Sequence, residues 1–193
     1  MIGVVQVGAH YAEEYEGWIS QGVKNFIFIE PVKANFAKLS RIMANKSENI
    51  KLFNLAVGNF NGVSSMFTEE EHQGKSCSLL KPKLHLEQYP DIIFNSQEEV
   101  EVRRLDDIEY DRTLYDHLHI DTQGYEMEVL QGAKKSLRLF ATVAIEVYRE
   151  ELYEGCAMHT EVTAFMRENK FHLMNIFWRG NSWGDAEYLR LCE

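Results

Sequence analysis

Two short apolar runs, each stopping at a residue with its own chemistry, do most to limit what this chain can fold into. Val4-Val5-Gln6-Val7 halts at Gly8, and Phe26-Ile27-Phe28-Ile29 halts at Glu30, 22 residues later. Both read as buried strands. Between them, residues 12–21 carry Glu13, Glu14 and Glu16 early, where a helix dipole favours acid, and Gly22 follows as a stop signal. Strand, glycine turn, helix and strand open an α/β fold with parallel strands. In such folds the glycine lets the backbone approach a ligand, the helix start offers free N–H groups, and an acid ending the second strand suits the two hydroxyls of a ribose. Gly8-Ala9-His10-Tyr11-Ala12 is not a full G-x-G-x-x-G, and a strand-ending glycine also serves plain turn chemistry. Pro31 fixes the backbone after Glu30 and opens the next helix. Glu13 and Glu14 beside the turn disfavour a phosphate-bearing ligand and prefer a less anionic nucleoside.

The pattern continues. Residues 32–45, with Phe36, Leu39, Ile42 and Met43 at helical spacing, predict a second helix, and 50–57 a third strand stopping at Gly58-Asn59. A short strand at 63–67 follows the Asn61-Gly62 turn. Residues 68–99, broken by Gly74, Pro82 and Pro90, show no sustained periodicity and are expected to form a lid or binding loop within a single domain spanning 1–193. Residues 100–108 read as a short strand running into a turn. A fourth strand is expected at 117–121, a helix at 126–139, a fifth strand at 142–147 and a helix at 161–169. Runs at 171–178 and 186–191 suggest an antiparallel pair at one sheet edge. The ligand should lie over the strands' carboxyl ends, where Gly8, Glu30 and Val57-Gly58 converge.

Net charge bounds the partners. With 30 acidic against 20 basic residues the chain carries −10, and its basic pairs are scattered, so nucleic acid is not an expected partner. Three cysteines at irregular spacing point to a reducing compartment. No apolar run approaches the roughly 18 residues of a membrane span, and no charged leader opens the chain, so a cytoplasmic location is expected.

Candidate chemistry gathers on the later strands. Asp121, at the end of the fourth strand, would face the ligand from across the switch point as a general base, an orienting group or a metal ligand; as an alternative it or Thr122 caps the following helix. Glu146, ending the fifth strand, is either a second acid in the cleft or a surface charge. His117, His119 and Asp121 share one strand face and resemble part of a binuclear zinc motif, but Thr122 stands where that motif has a further histidine, so packing explains them better and no metal is expected. The backbone of Ala56 and Val57 is placed to read an adenine edge.

These pieces, in order, resemble the FkbM family of S-adenosylmethionine-dependent methyltransferases. The resemblance rests on Gln6-Val7-Gly8-Ala9-His10, Phe28-Ile29-Glu30-Pro31, Leu55-Ala56-Val57-Gly58, Leu105-Asp106-Asp107, Ile145-Glu146 and above all the block from Ile120-Asp121 through Gln131-Gly132-Ala133. It implies a class I methyltransferase fold, Rossmann-like and doubly wound, with a mainly parallel sheet and a reversed last strand. It also implies S-adenosyl-L-methionine as cofactor, with Gly8, Ala9 and His10 by its methionine part, Glu30 and Pro31 by the ribose and Ala56 and Val57 by the adenine. The implied activity is O-methylation of a small-molecule or sugar hydroxyl. The chain departs from the family pattern at Gln6 for Asp, His10 for Asn, Ala12 for Gly and His119 for Lys. The neutral Gln6 should attract the cofactor's ammonium group less. Two other functions share the opening pattern: a nicotinamide-dependent oxidoreductase, and a non-catalytic module that binds the adenosyl cofactor.

Overall fold

The apolar runs form adjacent strands of a seven-stranded sheet in the computed structural model, which describes residues 1–191; Cys192 lies outside them. The chain runs β1 (Gly3–Val7), α1 (Tyr15–Ser20), β2 (Asn25–Ile29), α2 (Lys33–Met43), β3 (Asn49–Phe53), β4 (Ala56–Val57), β5 (Gly62–Thr68), α3 (His85–Gln88) and β6 (Ser96–Arg103). It continues through β7 (His117–Ile120), α4 (Glu126–Gly132), β8 (Thr142–Tyr148), α5 (His159–Glu168), β9 (Phe171–Trp178) and β10 (Trp183–Arg190). The large sheet has the order β3-β2-β1-β7-β8-β10-β9. Its first five strands are parallel, and β10 enters antiparallel between β8 and β9. The class I methyltransferase fold expected from the sequence is the one observed, including the reversed C-terminal pair.

Strand alternation sorts side chains onto two faces. Val4, Phe26 and Phe28 meet Tyr15 and Trp18 of α1 and Leu39 and Met43 of α2. Val5, Val7, Ile27, Ile29, Leu118, Ile120, Val143 and Ile145 face the other way, onto Val129 and Leu130 of α4 and Val162 and Met166 of α5. Each such fully buried aliphatic side chain stabilises the fold by about 1.5–3 kcal/mol. The sheet is therefore covered on both sides, and its carboxyl-end edge is the place left for a ligand. A second, three-stranded sheet, β4-β6-β5, stands beside that edge.

Several element boundaries differ from the expectation. The first helix starts at Tyr15 instead of residue 12, because His10 (φ 45°) and Ala12 (φ 56°) are both left-handed and Ala12 N–H closes a turn on the Ala9 carbonyl at 2.6 Å. The family's usual Asn and Gly at these two positions are the residues that adopt this conformation most cheaply. The expected single strand 50–57 is two: the Asn54 amide donates to the Glu30 and Pro31 carbonyls (2.9 and 3.0 Å), ending β3 and sending Ala56 and Val57 to pair with β6. The helix expected at 126–139 stops at Gly132, where a Cβ would stand 1.8 Å from the Gly58 carbonyl oxygen. Asp106 then accepts the Lys135 and Ser136 N–H groups (2.9 and 2.7 Å) and turns the chain into a 3-10 helix at Leu137–Leu139.

His117 and His119 lie edge-on to Trp18, with ring centroids 6.4 and 5.6 Å from it, and the His117 imidazole bonds the Thr142 hydroxyl at 2.7 Å. Among the described residues no cluster of side chains could hold a metal ion. Cys77 and Cys156 are free and buried, and burial pushes their thiols up to about 12 and about 11. No helix among the described residues is long and apolar enough to cross a membrane.

Candidate functional site

Beyond the carboxyl ends of β1, β2, β7 and β8 lies a cavity of about 300 Å³. The residues assigned to the cofactor and the two acids all line it: Gly8, Ala9, His10, Glu30, Pro31, Ala56, Val57, Asp121 and Glu146; Gly58, His117 and His119 do not.

The floor is the turn after β1. Gly8 and Ala9 both donate N–H bonds to the Ile29 carbonyl at 3.0 Å, which fastens the turn to β2. Gly8 has φ +78°, and a Cβ there would stand 1.7 Å from the Asp121 carbonyl oxygen. The glycine is thus demanded by the approach of β7 as well as by the conformation. Glu30, 4% exposed, accepts the His10 N–H on one carboxylate oxygen (2.8 Å) and the Val32 N–H on the other (2.9 Å). Burial pushes its carboxyl up to about 7, against the pull of those two donors. Each oxygen keeps a free lone pair for further donors.

Along the neighbouring strands β7 and β8 lies a network of acids that share donors. One Gln123 amide nitrogen donates to Asp121 Oδ1 (2.7 Å) and to Glu146 Oε2 (3.0 Å). The Tyr148 hydroxyl donates to that same Glu146 oxygen. Gln123 is itself held in a left-handed conformation (φ 55°) by the Tyr153 hydroxyl on its side-chain oxygen and the Ser78 hydroxyl on its carbonyl (3.0 and 2.6 Å). Burial raises the Asp121 carboxyl, and it raises Glu146 well above the ordinary carboxylate range, reinforced there by the charges of Asp121 and Glu126. The helix-capping alternative for Asp121 does not hold: Glu126 accepts the Thr122 and Gly124 N–H groups (2.9 and 3.2 Å), and Asp121 is left facing Gln123 and the cavity.

The segment 68–99 supplies His72, Gly74, Lys75, Ser76, Cys77 and Leu79, and then His85, Tyr89 and Ile92, to the lining. It is tied down at several points. Lys83 and His85 donate N–H bonds to the Leu152 carbonyl (2.8 and 3.1 Å), Gln88 bonds Ser182 (2.6 Å), and the Trp183 indole donates to the Tyr89 hydroxyl (2.9 Å). His85 is buried, its Nδ1 has no partner, and burial holds the imidazole down at about 4, so it faces the cavity neutral.

The sequence reasoning placed Glu14 beside the ligand turn but missed Gln123, Tyr148, Tyr153, His85 and Trp183 as parts of this site. Tyr148 had a signal, since it lies two residues after Glu146 on one strand and so on the same face. Gln123 lies two residues after Asp121, and Tyr153, His85 and Trp183 are brought in by chain crossings that no local pattern announces.

The donors and acceptors of the site match an adenosyl cofactor. Glu30 presents free lone pairs for a ribose diol, Gln6 Oε1 is a buried acceptor without a partner, and Ala56 and Val57 of β4 line the cavity. The residues present fit that group.

Comparisons with known proteins agree. The 2-O-methyltransferase NoeI of Sinorhizobium fredii (strain NBRC 101917 / NGR234) is 32% identical over 115 residues, which is 56% of this chain and 47% of that protein. The chain therefore spans about half the length of the curated relative it matches. Among solved structures, the ribosomal protein L11 methylase of Lactobacillus delbrueckii subsp. bulgaricus superposes with a TM-score of 0.57 at 11% identity, covering 97% of this chain and 69% of that one. The magnesium protoporphyrin IX methyltransferase (ChlM) of Synechocystis PCC 6803, solved with bound SAM, superposes with a TM-score of 0.52 at 8% identity, again covering 97% and 69%. The family model described as the methyltransferase FkbM domain matches residues 6–173, from the end of β1 into β9, and the chain belongs to that family, whose cofactor is S-adenosyl-L-methionine.

Proposed function

We propose that the chain is one catalytic domain that transfers a methyl group from S-adenosyl-L-methionine to a hydroxyl oxygen of a small molecule or sugar. The observation that carries this reading is the Asp121–Gln123–Glu146 bridge, which sets two acids on the lining of the cavity that Gly8 and Glu30 also line. When bound, the cofactor supplies a methyl group on a positively charged sulfur, so the leaving group needs no help from the protein.

The chain's own residues have the other half of the work. A hydroxyl is a poor nucleophile at neutral pH, and a base that takes its proton contributes on the order of 10² to 10⁴ in rate. Asp121 is assigned that role. Burial raises both bridged acids, and a buried carboxylate is a stronger base than a solvated one. Glu146, held by Tyr148 and Gln123, orients the bridge. Gly8, Ala9 and His10 are assigned to the methionine part of the cofactor, Glu30 and Pro31 to the ribose, and Ala56 and Val57 to the adenine. The wall from 68–99 covers the acceptor and keeps water out. The printed name of NoeI supports an oxygen acceptor. A nicotinamide cofactor fits less well, because its pyrophosphate would meet Glu13 and Glu14 on the cavity lining.

The test is calorimetry with S-adenosylmethionine, S-adenosylhomocysteine and NAD, followed by transfer of a labelled methyl group to a panel of sugars and phenols. Binding of the two adenosyl compounds and labelling of a hydroxyl acceptor are expected. Absence of binding by both would overturn the reading, and binding without transfer to any acceptor would favour a non-catalytic module.

A further inference from the structure

At the end of β1, where the family usually carries an aspartate, this chain has Gln6, 2% exposed and lining the cavity. Its Nε2 donates to Glu14 Oε2 at 2.8 Å. A carboxylate only accepts hydrogen bonds, so the amide must turn its NH2 to Glu14 and its carbonyl away from it. That carbonyl oxygen, Gln6 Oε1, is buried and has no partner. A desolvated acceptor beside a carboxylate is a site lacking a donor, and one that carries positive charge satisfies both.

The two acids of this turn are not equivalent. Glu13 is bonded by His10 Nδ1 (2.7 Å) and Lys75 Nζ (3.0 Å); although burial works against them, these bonds hold its carboxyl down at about 2. Glu14 also lines the cavity, but it has no ion-pair partner among the described residues, only the neutral Gln6 amide. Of the other cavity acids, Glu30 is engaged by the His10 and Val32 backbone, Asp121 by Gln123, and Glu146 by Gln123 and Tyr148. Glu14 is the acid left with charge to offer at the β1 end.

Resting on the methyltransferase reading, we infer that Glu14 and Gln6 together bind the α-ammonium group of the cofactor, with Glu14 supplying the negative charge that the family's strand-end aspartate would supply. An ammonium group has three donors and no acceptor. Gln6 Oε1 and the Glu14 carboxylate both accept, and neither competes with the other for the same proton. The change at position 6 thus moves the charge to the residue before α1 without removing it, and the loss of ammonium attraction expected from Gln6 alone does not follow.

The test separates the amino-acid end of the ligand from the nucleoside end. Calorimetry is run on wild type and Glu14→Gln with S-adenosylhomocysteine, which carries the ammonium group, and with 5′-methylthioadenosine, which lacks it. Glu14→Gln is expected to weaken S-adenosylhomocysteine about tenfold and leave 5′-methylthioadenosine within about twofold. Glu16→Gln, whose carboxylate is exposed and pairs with Lys46, should change neither. Moving the charge back in the double variant Gln6→Glu, Glu14→Gln should restore most of the lost affinity. A loss for S-adenosylhomocysteine less than about threefold greater than that for 5′-methylthioadenosine overturns the inference, including a parallel loss of both. If wild type binds neither ligand, the methyltransferase reading itself fails.

Discussion

Replacing Gly8 with alanine measures how tightly the floor of the site is held. The new Cβ would stand 1.7 Å from the Asp121 carbonyl oxygen and 2.8 Å from its carbonyl carbon, on a residue with φ +78°. Left-handed backbone alone costs an L-residue about 1–2 kcal/mol. Relieving the contact adds about 1–3 kcal/mol of overpacking. The only way out is to part β1 from β7 where the Asp121 N–H donates to the Val7 carbonyl at 3.0 Å, a bond worth about 1 kcal/mol. Together these destabilise by about 4 kcal/mol, which for a chain of this length lowers the melting temperature by about 8–16 °C. Gly17→Ala is the control: nothing lies within 4 Å of its added Cβ, and as a glycine in α1 it should gain up to about 1 kcal/mol. Differential scanning calorimetry reads both. A Gly8→Ala protein melting within about 2 °C of wild type would refute the argument that the two strand ends are locked together here.

Asp121→Asn should leave cofactor affinity within a few-fold and lower turnover at least about tenfold, with Glu146→Gln doing less; full turnover with a lowered melting temperature would make Asp121 structural. S-adenosylmethionine affinity should rise with pH through about 7, as Glu30 ionises and accepts the ribose hydroxyls, and the rise should vanish in Glu30→Gln; a flat wild-type profile would remove Glu30 from the ribose site. Stability takes the opposite sign, because the folded Glu30 carboxyl sits at about 7 against 4.5 in the open chain: its contribution is complete below 4.5 and is lost as pH rises through about 7. His85 titrates the other way, folded at about 4 against 6.5, so its contribution is present above 6.5 and lost as pH falls towards 4; denaturant melts of His85→Phe should show a shallower fall over that window, and equal slopes would mean the imidazole is solvated.

The strands were legible because their signal is local: Val4 to Val7 and Phe26 to Ile29 have to be buried on both faces, and no other element accommodates them as well. The boundaries were not, because each is set from a distance. Asn54 ends β3 by bonding the Glu30 and Pro31 carbonyls, and Gly132 ends α4 against Gly58. The site divides the same way. Gly8, Glu30 and Asp121 follow strand ends and Glu146 lies two residues short of one, and a parallel sheet brings strand ends together whatever their side chains do. Gln123 became visible as a bridge only once Ser78 and Tyr153 were seen to hold it, and the pairing of Glu14 with Gln6 only once their side chains were seen to meet.

The position of β10 bears on how the protein is made. Its partner β8 carries Glu146 and lies along β7, so the other edge of β8 stays an open row of N–H and C=O groups until residues 183–190 leave the ribosome and slot in. β9 is translated before β10 yet reaches the sheet only through it. Nascent chains halted between residues 148 and 183 should therefore present a sticky strand edge beside a half-built cleft, a natural binding point for chaperones and a starting point for aggregation.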